Sequence, residues 1–153
     1  GLQVVVVRRS SASSGPGVRS VPATALHEVL PLADWLVLAC ALTAHTRGLI
    51  GARELALLPT HCAVVNISRG DVIDESALID ALRAGRLAGA YLDVFAQEPI
   101  PEDSPLWNLP NVIVTPHSAG FSDGNEERVA DMFLANLGRW ARGEPLRSRV
   151  GAA

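Results

Sequence analysis

The chain has 153 residues, enough for one domain with a real hydrophobic core, and a composition of 48% apolar and 19% charged residues excludes a disordered or low-complexity chain. A net charge of -3 leaves no basic footprint for nucleic acid, and no apolar run approaches the roughly 20 residues that a bilayer span requires, so neither nucleic acid nor membrane is expected as a partner. The two cysteines, Cys40 and Cys62, lie beside apolar runs and read as free, buried thiols of a reducing cytoplasm, not as a disulfide framework.

Residue 1 is glycine, not methionine, and "GLQVVVV" enters a buried strand with no targeting segment before it, so the chain reads as cut from something longer. Residues 4–7 are the first predicted strand, and "SSASSGPG" (10–17) is a flexible surface turn. A helix over 24–32 precedes a second strand over 35–39, and a helix over 52–57 stops before Pro59. The third strand covers 63–66. After it comes a helix over 74–84, with Asp74 as N-cap, an apolar stripe of Leu78, Ile79 and Leu82, Arg83 in the last turn and Gly85 at the left-handed stop. A fourth strand (89–92), a proline-bearing loop (97–110) and a fifth strand (112–114) follow. A long helix over 125–142 then carries Val129, Met132, Phe133, Leu137 and Trp140 on one face and ends at Gly143. This alternation predicts βα units around a parallel sheet, and strands without strict polar alternation predict that both sheet faces are covered. Trp35, Trp107 and Trp140 read as core or interface aromatics, and His27, His45 and His61 as ordinary helix or loop residues.

In an open parallel sheet, ligands bind beyond the carboxyl ends of the strands, where helix N-termini converge with free backbone donors. The residues just beyond the five strands are Arg8-Arg9-Ser10, Cys40-Ala41-Leu42-Thr43, Ile67-Ser68-Arg69-Gly70, Asp93-Val94-Phe95 and Thr115-Pro116-His117. Arg69, Asp93 and His117, with Glu98 a few residues past Asp93, concentrate acid-base and anion-binding groups at that edge. Taken singly each has a plain alternative: Arg69 as a cap or a partner of Asp71, Asp93 as an N-cap, Glu98 as a solvated charge, His117 as a loop residue.

Three segments move those readings together. "VVNISRGDVIDESALIDAL" (64–82), "LAGAYLDVFAQEP" (87–99) and "LPNVIVTPHSAG" (109–120) resemble, in order and spacing, the signature segments of D-isomer-specific 2-hydroxyacid dehydrogenases. The resemblance covers about residues 1–146. It implies an α/β, Rossmann-like, doubly wound parallel sheet that is incomplete, lacking the first βα unit, with 147–153 leading back towards an absent substrate domain. It also implies that Arg69 holds the substrate carboxylate, that His117 is the general acid-base and that Glu98 is its partner. Asp93 is implied to face the nicotinamide carboxamide, and Cys40, Ala41, Thr46, Ile67, Ser68 and Gly120 to line the cofactor. The family usually has proline where this chain has Ala41, while Thr46 matches.

No G-x-G-x-x-G turn occurs in the chain, so the pyrophosphate site is expected upstream of Gly1 and residues 1–153 are expected to be inactive alone. Where NAD-preferring members place an acid, this chain has Arg8, Arg9 and Ser10, which welcome a 2′-phosphate, so the expected cofactor is NADP in preference to NAD. The substrate is expected to be a small 2-keto or 2-hydroxy acid and the assembly a homodimer. Two alternatives stand beside the enzyme: a cofactor-sensing regulator without catalysis, and an inactive interaction fragment, both on the same scaffold.

Overall fold

The computed structural model describes residues 1–9 and 15–149, so Ser10 and most of the 10–17 turn lie outside the described residues. The chain divides into two compact units, Gly1–Ser118 and Ala119–Ala153.

In the first unit, β1 (Val5–Arg8) and β2 (Arg19–Pro22) pair in parallel, and β3 (Trp35–Leu38), β4 (Ala63–Asn66), β5 (Gly89–Leu92) and β6 (Val112–Val114) form a four-stranded parallel sheet in sequential order. Parallel strands throughout, with α-helices in the connections from β2 to β5, make this a Rossmann-like α/β fold. The strand β2 has no counterpart among the elements predicted from sequence. "RSVP" has no apolar run and ends in proline, and only Val21 is buried.

The helices obey their local signals. In α3 (Glu75–Arg83) the Asp74 carboxylate accepts the Ala77 N–H at 3.1 Å and the Ser76 hydroxyl at 2.7 Å. Those two bonds, the backbone one first, hold its carboxyl below the ordinary aspartate value. Gly85 ends the helix at φ 65°. Predicted as one helix, 24–32 is instead a 3-10 turn, a single α turn α1 (Leu26–Val29) and a second 3-10 turn (Leu30–Leu32) whose proline, Pro31, precludes a regular continuation. The short α2 (Ala52–Leu57) has the predicted bounds, and Glu54 caps its start by accepting the Gly51 N–H at 3.0 Å.

Register explains where the core lies. Leu38, Val64, Asn66, Ala90 and Leu92 point to one face and are buried, beneath Leu55, Leu58, Leu78, Ile79 and Leu82. Each fully buried leucine there contributes about 1.5–3 kcal/mol. The other face carries Trp35, Val37, Tyr91 and Ile113, and Trp35, Val37 and Ile113 are exposed. Full coverage of both faces therefore fails at these positions, because the buried residues of α1, α2 and α3 all join one core cluster. Trp107 and Trp140 are exposed too, which corrects the core reading of the three tryptophans. Both cysteines are free as expected; Cys62 is buried, which pushes its thiol up, and Cys40 is half-buried.

The second unit is built on α4 (Asn125–Ala141), which ends at Gly143 with φ 68°. Its tail turns back so that Asn136 accepts the Arg147 N–H at 2.8 Å and donates to the Arg147 carbonyl at 3.2 Å. No helix among the described residues is long and apolar enough to cross a membrane.

Candidate active site

The carboxyl end of β4 is shaped by Asn66, a fully buried amide in an otherwise apolar strand. Its Oδ1 accepts both the Ser68 N–H at 3.1 Å and the Ser68 hydroxyl at 2.8 Å, and its Nδ2 donates to the Arg69 carbonyl at 3.1 Å. One side chain thus satisfies the three polar groups of a tight loop and turns Arg69 outward. The Arg69 guanidinium is exposed and steadied by a 2.6 Å bond from Nη1 to the Ser68 carbonyl. The alternative partner Asp71 is engaged by Arg47 instead.

Gly70 is glycine because nothing larger fits. A β-carbon there would lie 1.9 Å from the Phe95 carbonyl oxygen, a contact no side chain tolerates, and the obstacle is backbone. Gly70→Ala is expected to cost about 3 kcal/mol, the top of the usual range for overpacking, and to lower the melting temperature by about 6–12 °C for a chain of this size. A thermal melt of wild type and variant side by side checks this; a loss under 1 °C would mean that the two loops are not in contact.

At the end of β5, Asp93 is 1% exposed, and its Oδ1 accepts the Thr115 hydroxyl and the Ser118 N–H, the latter at 2.9 Å. Thr115 and Ser118 flank His117, which sits at φ 52°, a left-handed conformation uncommon for a side-chain-bearing residue. The buried carboxylate therefore grips a strained turn from both sides. Across the gap, Glu98 Oε2 meets His117 Nδ1 at 2.7 Å while its Oε1 accepts the Phe95 N–H at 3.0 Å. Burial alone would raise the Glu98 carboxyl; the bonds from His117 and Phe95, with the charges of His117 and Arg69, hold it below the ordinary glutamate value. Ionised Glu98 accepts the Nδ1–H, which leaves Nε2 as the ring nitrogen available to a ligand.

The structure thus brings Arg69, Glu98 and His117 to one strand edge, with Asp93 beneath the histidine turn. A cleft of about 400 Å3 at the ends of β3 and β4 is lined by Ala39, Cys40, Ala41, Leu42, Ile67, Ser68 and Arg69. Thr46 closes that wall from behind, its hydroxyl donating to the Ala41 carbonyl at 2.7 Å and accepting the Thr43 N–H at 2.8 Å. A cleft lined by small and aliphatic side chains with one guanidinium at its edge, at the carboxyl ends of parallel strands, fits part of a dinucleotide. Arg8 and Arg9 stand at the end of β1, half-buried and exposed; Gly120 is exposed in the second unit. Asn66 shapes the site and was missed by sequence reasoning, and Thr115, read there only as one of the residues beyond the last strand, is held by Asp93. Asn66 had one available signal, a lone amide at the end of an apolar run.

His27 and His61 have carboxylate partners of their own. His27 Nε2 pairs with Glu54 Oε1 at 2.8 Å and His61 Nε2 with Asp34 Oδ1 at 3.0 Å.

Residues 1–119 match a family described as D-isomer specific 2-hydroxyacid dehydrogenase, NAD binding domain. A glyoxylate reductase of Korarchaeum cryptofilum is 42% identical over 138 residues, which is 90% of this chain and 41% of that protein. A glyoxylate/hydroxypyruvate reductase A of Salmonella newport is 39% identical over 144 residues, 94% of this chain and 46% of the other. Among solved structures, a D-isomer specific 2-hydroxyacid dehydrogenase of Xanthobacter autotrophicus Py2 in complex with NADPH and MES superposes with a TM-score of 0.90 at 39% identity, covering 99% of this chain and 62% of that one. An NADPH-dependent glyoxylate/hydroxypyruvate reductase of Sinorhizobium meliloti in complex with NADP and sulfate gives 0.90 at 34% identity, covering 98% and 48%. The chain spans less than half the length of the two curated relatives named.

Proposed function

Because this chain belongs to the D-isomer specific 2-hydroxyacid dehydrogenase family as its NAD binding domain, we propose that the full-length gene product reduces a small 2-keto acid, glyoxylate or hydroxypyruvate, to the D-2-hydroxy acid, with NADPH preferred to NADH. On this reading residues 1–146 are part of the nucleotide-binding domain and 147–153 lead towards a substrate domain. The observation that carries it is the 2.7 Å His117–Glu98 pair, set at the same strand edge as Arg69.

Each residue has a task its chemistry suits. The Arg69 fork pairs with the substrate carboxylate and fixes which side of the carbonyl faces the cleft. His117 delivers a proton from Nε2 to the keto oxygen, and in the reverse direction removes it. Glu98, holding Nδ1–H, sets the ring tautomer and balances the charge of the protonated ring. Asp93 keeps the His117 turn in place and would be the residue that holds the nicotinamide carboxamide. A reduced nicotinamide, when bound, supplies the hydride to the carbonyl carbon. Among the 153 residues no glycine-rich turn is present to hold its phosphates, so the isolated chain is assigned weak nucleotide binding and no turnover.

The deciding measurement is turnover of the full-length gene product with glyoxylate, hydroxypyruvate and pyruvate, each with NADPH and NADH. Cofactor binding with no rate on any keto acid would reject the enzyme in favour of a cofactor-sensing regulator.

Cofactor choice has its own test. If Arg8 and Arg9 face a 2′-phosphate, the double substitution to alanine raises KM for NADPH by about tenfold or more, the worth of one charge-assisted bond, and leaves KM for NADH within about twofold. An equal rise for both cofactors would assign the arginines to the adenine instead.

A further inference from the structure

The chain just after Arg69 grips the loop that carries Glu98. Gly70 lies against the Phe95 carbonyl, and Glu75, the first residue of α3, reaches across to accept the Ala96 N–H through Oε2 at 2.9 Å. Phe95 is the same residue whose N–H donates to Glu98 Oε1, and Glu98 in turn holds His117. Two adjacent backbone units are therefore fixed by two carboxylates: Phe95 by Glu98 from within the loop, and Ala96 by Glu75 from the helix that comes after Arg69. The second adds a directional polar tie to the close contact at Gly70 and the core packing of Phe95.

We propose that Glu75 is a positioning residue, whose carboxylate holds the Ala96 N–H and so keeps Glu98 and His117 in register with Arg69. The kinetic part of its test rests on the proposed keto-acid reduction; the geometry does not.

Glu75 also has a simpler role open to it, as an acidic group in the first turn of α3, favourable towards the positive end of the helix dipole. Two variants separate the roles. Glu75→Asp keeps the charge at the helix start but is one methylene too short to reach Ala96. Glu75→Gln loses the charge but keeps an oxygen acceptor at full reach. Positioning damages the aspartate variant and spares the glutamine; a dipole role does the reverse.

In the full-length gene product, E75D is expected to lower kcat for glyoxylate about tenfold with KM within about twofold, since a small misplacement of the acid-base pair slows the chemistry more than binding. The acid limb of its pH profile moves to higher pH. Loosening the Phe95 and His117 bonds releases the Glu98 carboxyl towards its ordinary value, with Arg69 the other charged group acting on it. E75Q is expected to keep kcat within about threefold, the loss of a surface charge alone. Wild-type kcat and acid limb in E75D, or equal damage in E75D and E75Q, would overturn the assignment. A carbon-13 NMR titration of the Glu98 carboxyl in wild type and E75D reads the same coupling without turnover. Where the gene product turns over no keto acid, an upward shift in E75D upholds the role and superimposable curves reject it. Thermal melts of both variants establish that they are folded.

Discussion

His117→Gln in the full-length gene product is expected to lower kcat for glyoxylate reduction by about a thousandfold, the middle of the range for removing a general acid, while Kd for NADPH stays within about threefold. Glutamine keeps a polar side chain of similar length but carries no proton that it can give up. The proton would then come from water, which no residue aligns. Glu98→Gln is milder, about tenfold to a hundredfold, because the imidazole survives but loses the carboxylate that holds its Nδ1–H at 2.7 Å. The two variants differ in pH response. Glu98 has its folded value depressed, so it is ionised at neutral pH; the rate that depends on it falls only as pH drops through that lowered value. The stability it contributes has the same sign: present above the unfolded glutamate value, lost as pH falls through the folded one. E98Q should therefore lack the acid limb of the wild-type profile. A pH series of kcat/KM on the three proteins checks both, and an H117Q enzyme within tenfold of wild type would remove His117 from the chemistry.

The positions proposed to carry chemistry could be singled out because they lie just beyond strands, and strand ends are legible. Apolar runs over 63–66, 89–92 and 112–114 mark β4, β5 and β6 at their observed bounds, and the residues just beyond each strand form the edge where a parallel sheet presents its ligands. Glycines at 85 and 143 mark helix stops for the same local reason, a left-handed residue that costs glycine nothing. The features that escaped depend on distant partners. Glu75 reads from the sequence as a first-turn acid, and its bond to Ala96, 21 residues on, has no local signature. Gly70 is flanked by Arg69 and Asp71 and looks like any loop glycine until the Phe95 carbonyl is found against it. β2 failed for the opposite reason. It is a real strand whose composition is that of a loop, paired because β1 offers it a partner. The exposed face of Trp35, Val37 and Ile113 was read as buried because an apolar run reports what a strand could bury, not what lies over it.

Arg69→Lys tests the other half of the proposed site, and kcat/KM for glyoxylate is expected to fall about a hundredfold, since lysine replaces a planar two-bond fork by a point charge. Arg69→Ala should cost about a thousandfold, the worth of two charge-assisted bonds. The loss must be specific to the carboxylate. Asn66 fixes the Arg69 loop from within, donating to the Arg69 carbonyl and accepting from Ser68, so a change beyond Cβ at position 69 leaves that frame in place and removes only the fork with its bond to the Ser68 carbonyl. For an aldehyde of similar size without a carboxylate, wild type and R69A should therefore react at similar, low rates. The ratio of kcat/KM for glyoxylate over such an aldehyde then measures what the guanidinium does for the acid alone, free of any effect on the hydride step or on His117. If R69A slows both compounds equally, Arg69 supports the fold of the cleft and the carboxylate is bound elsewhere. If only glyoxylate suffers, and added guanidinium restores part of its rate, the fork at the end of β4 is the group that selects 2-keto acids from other carbonyl compounds.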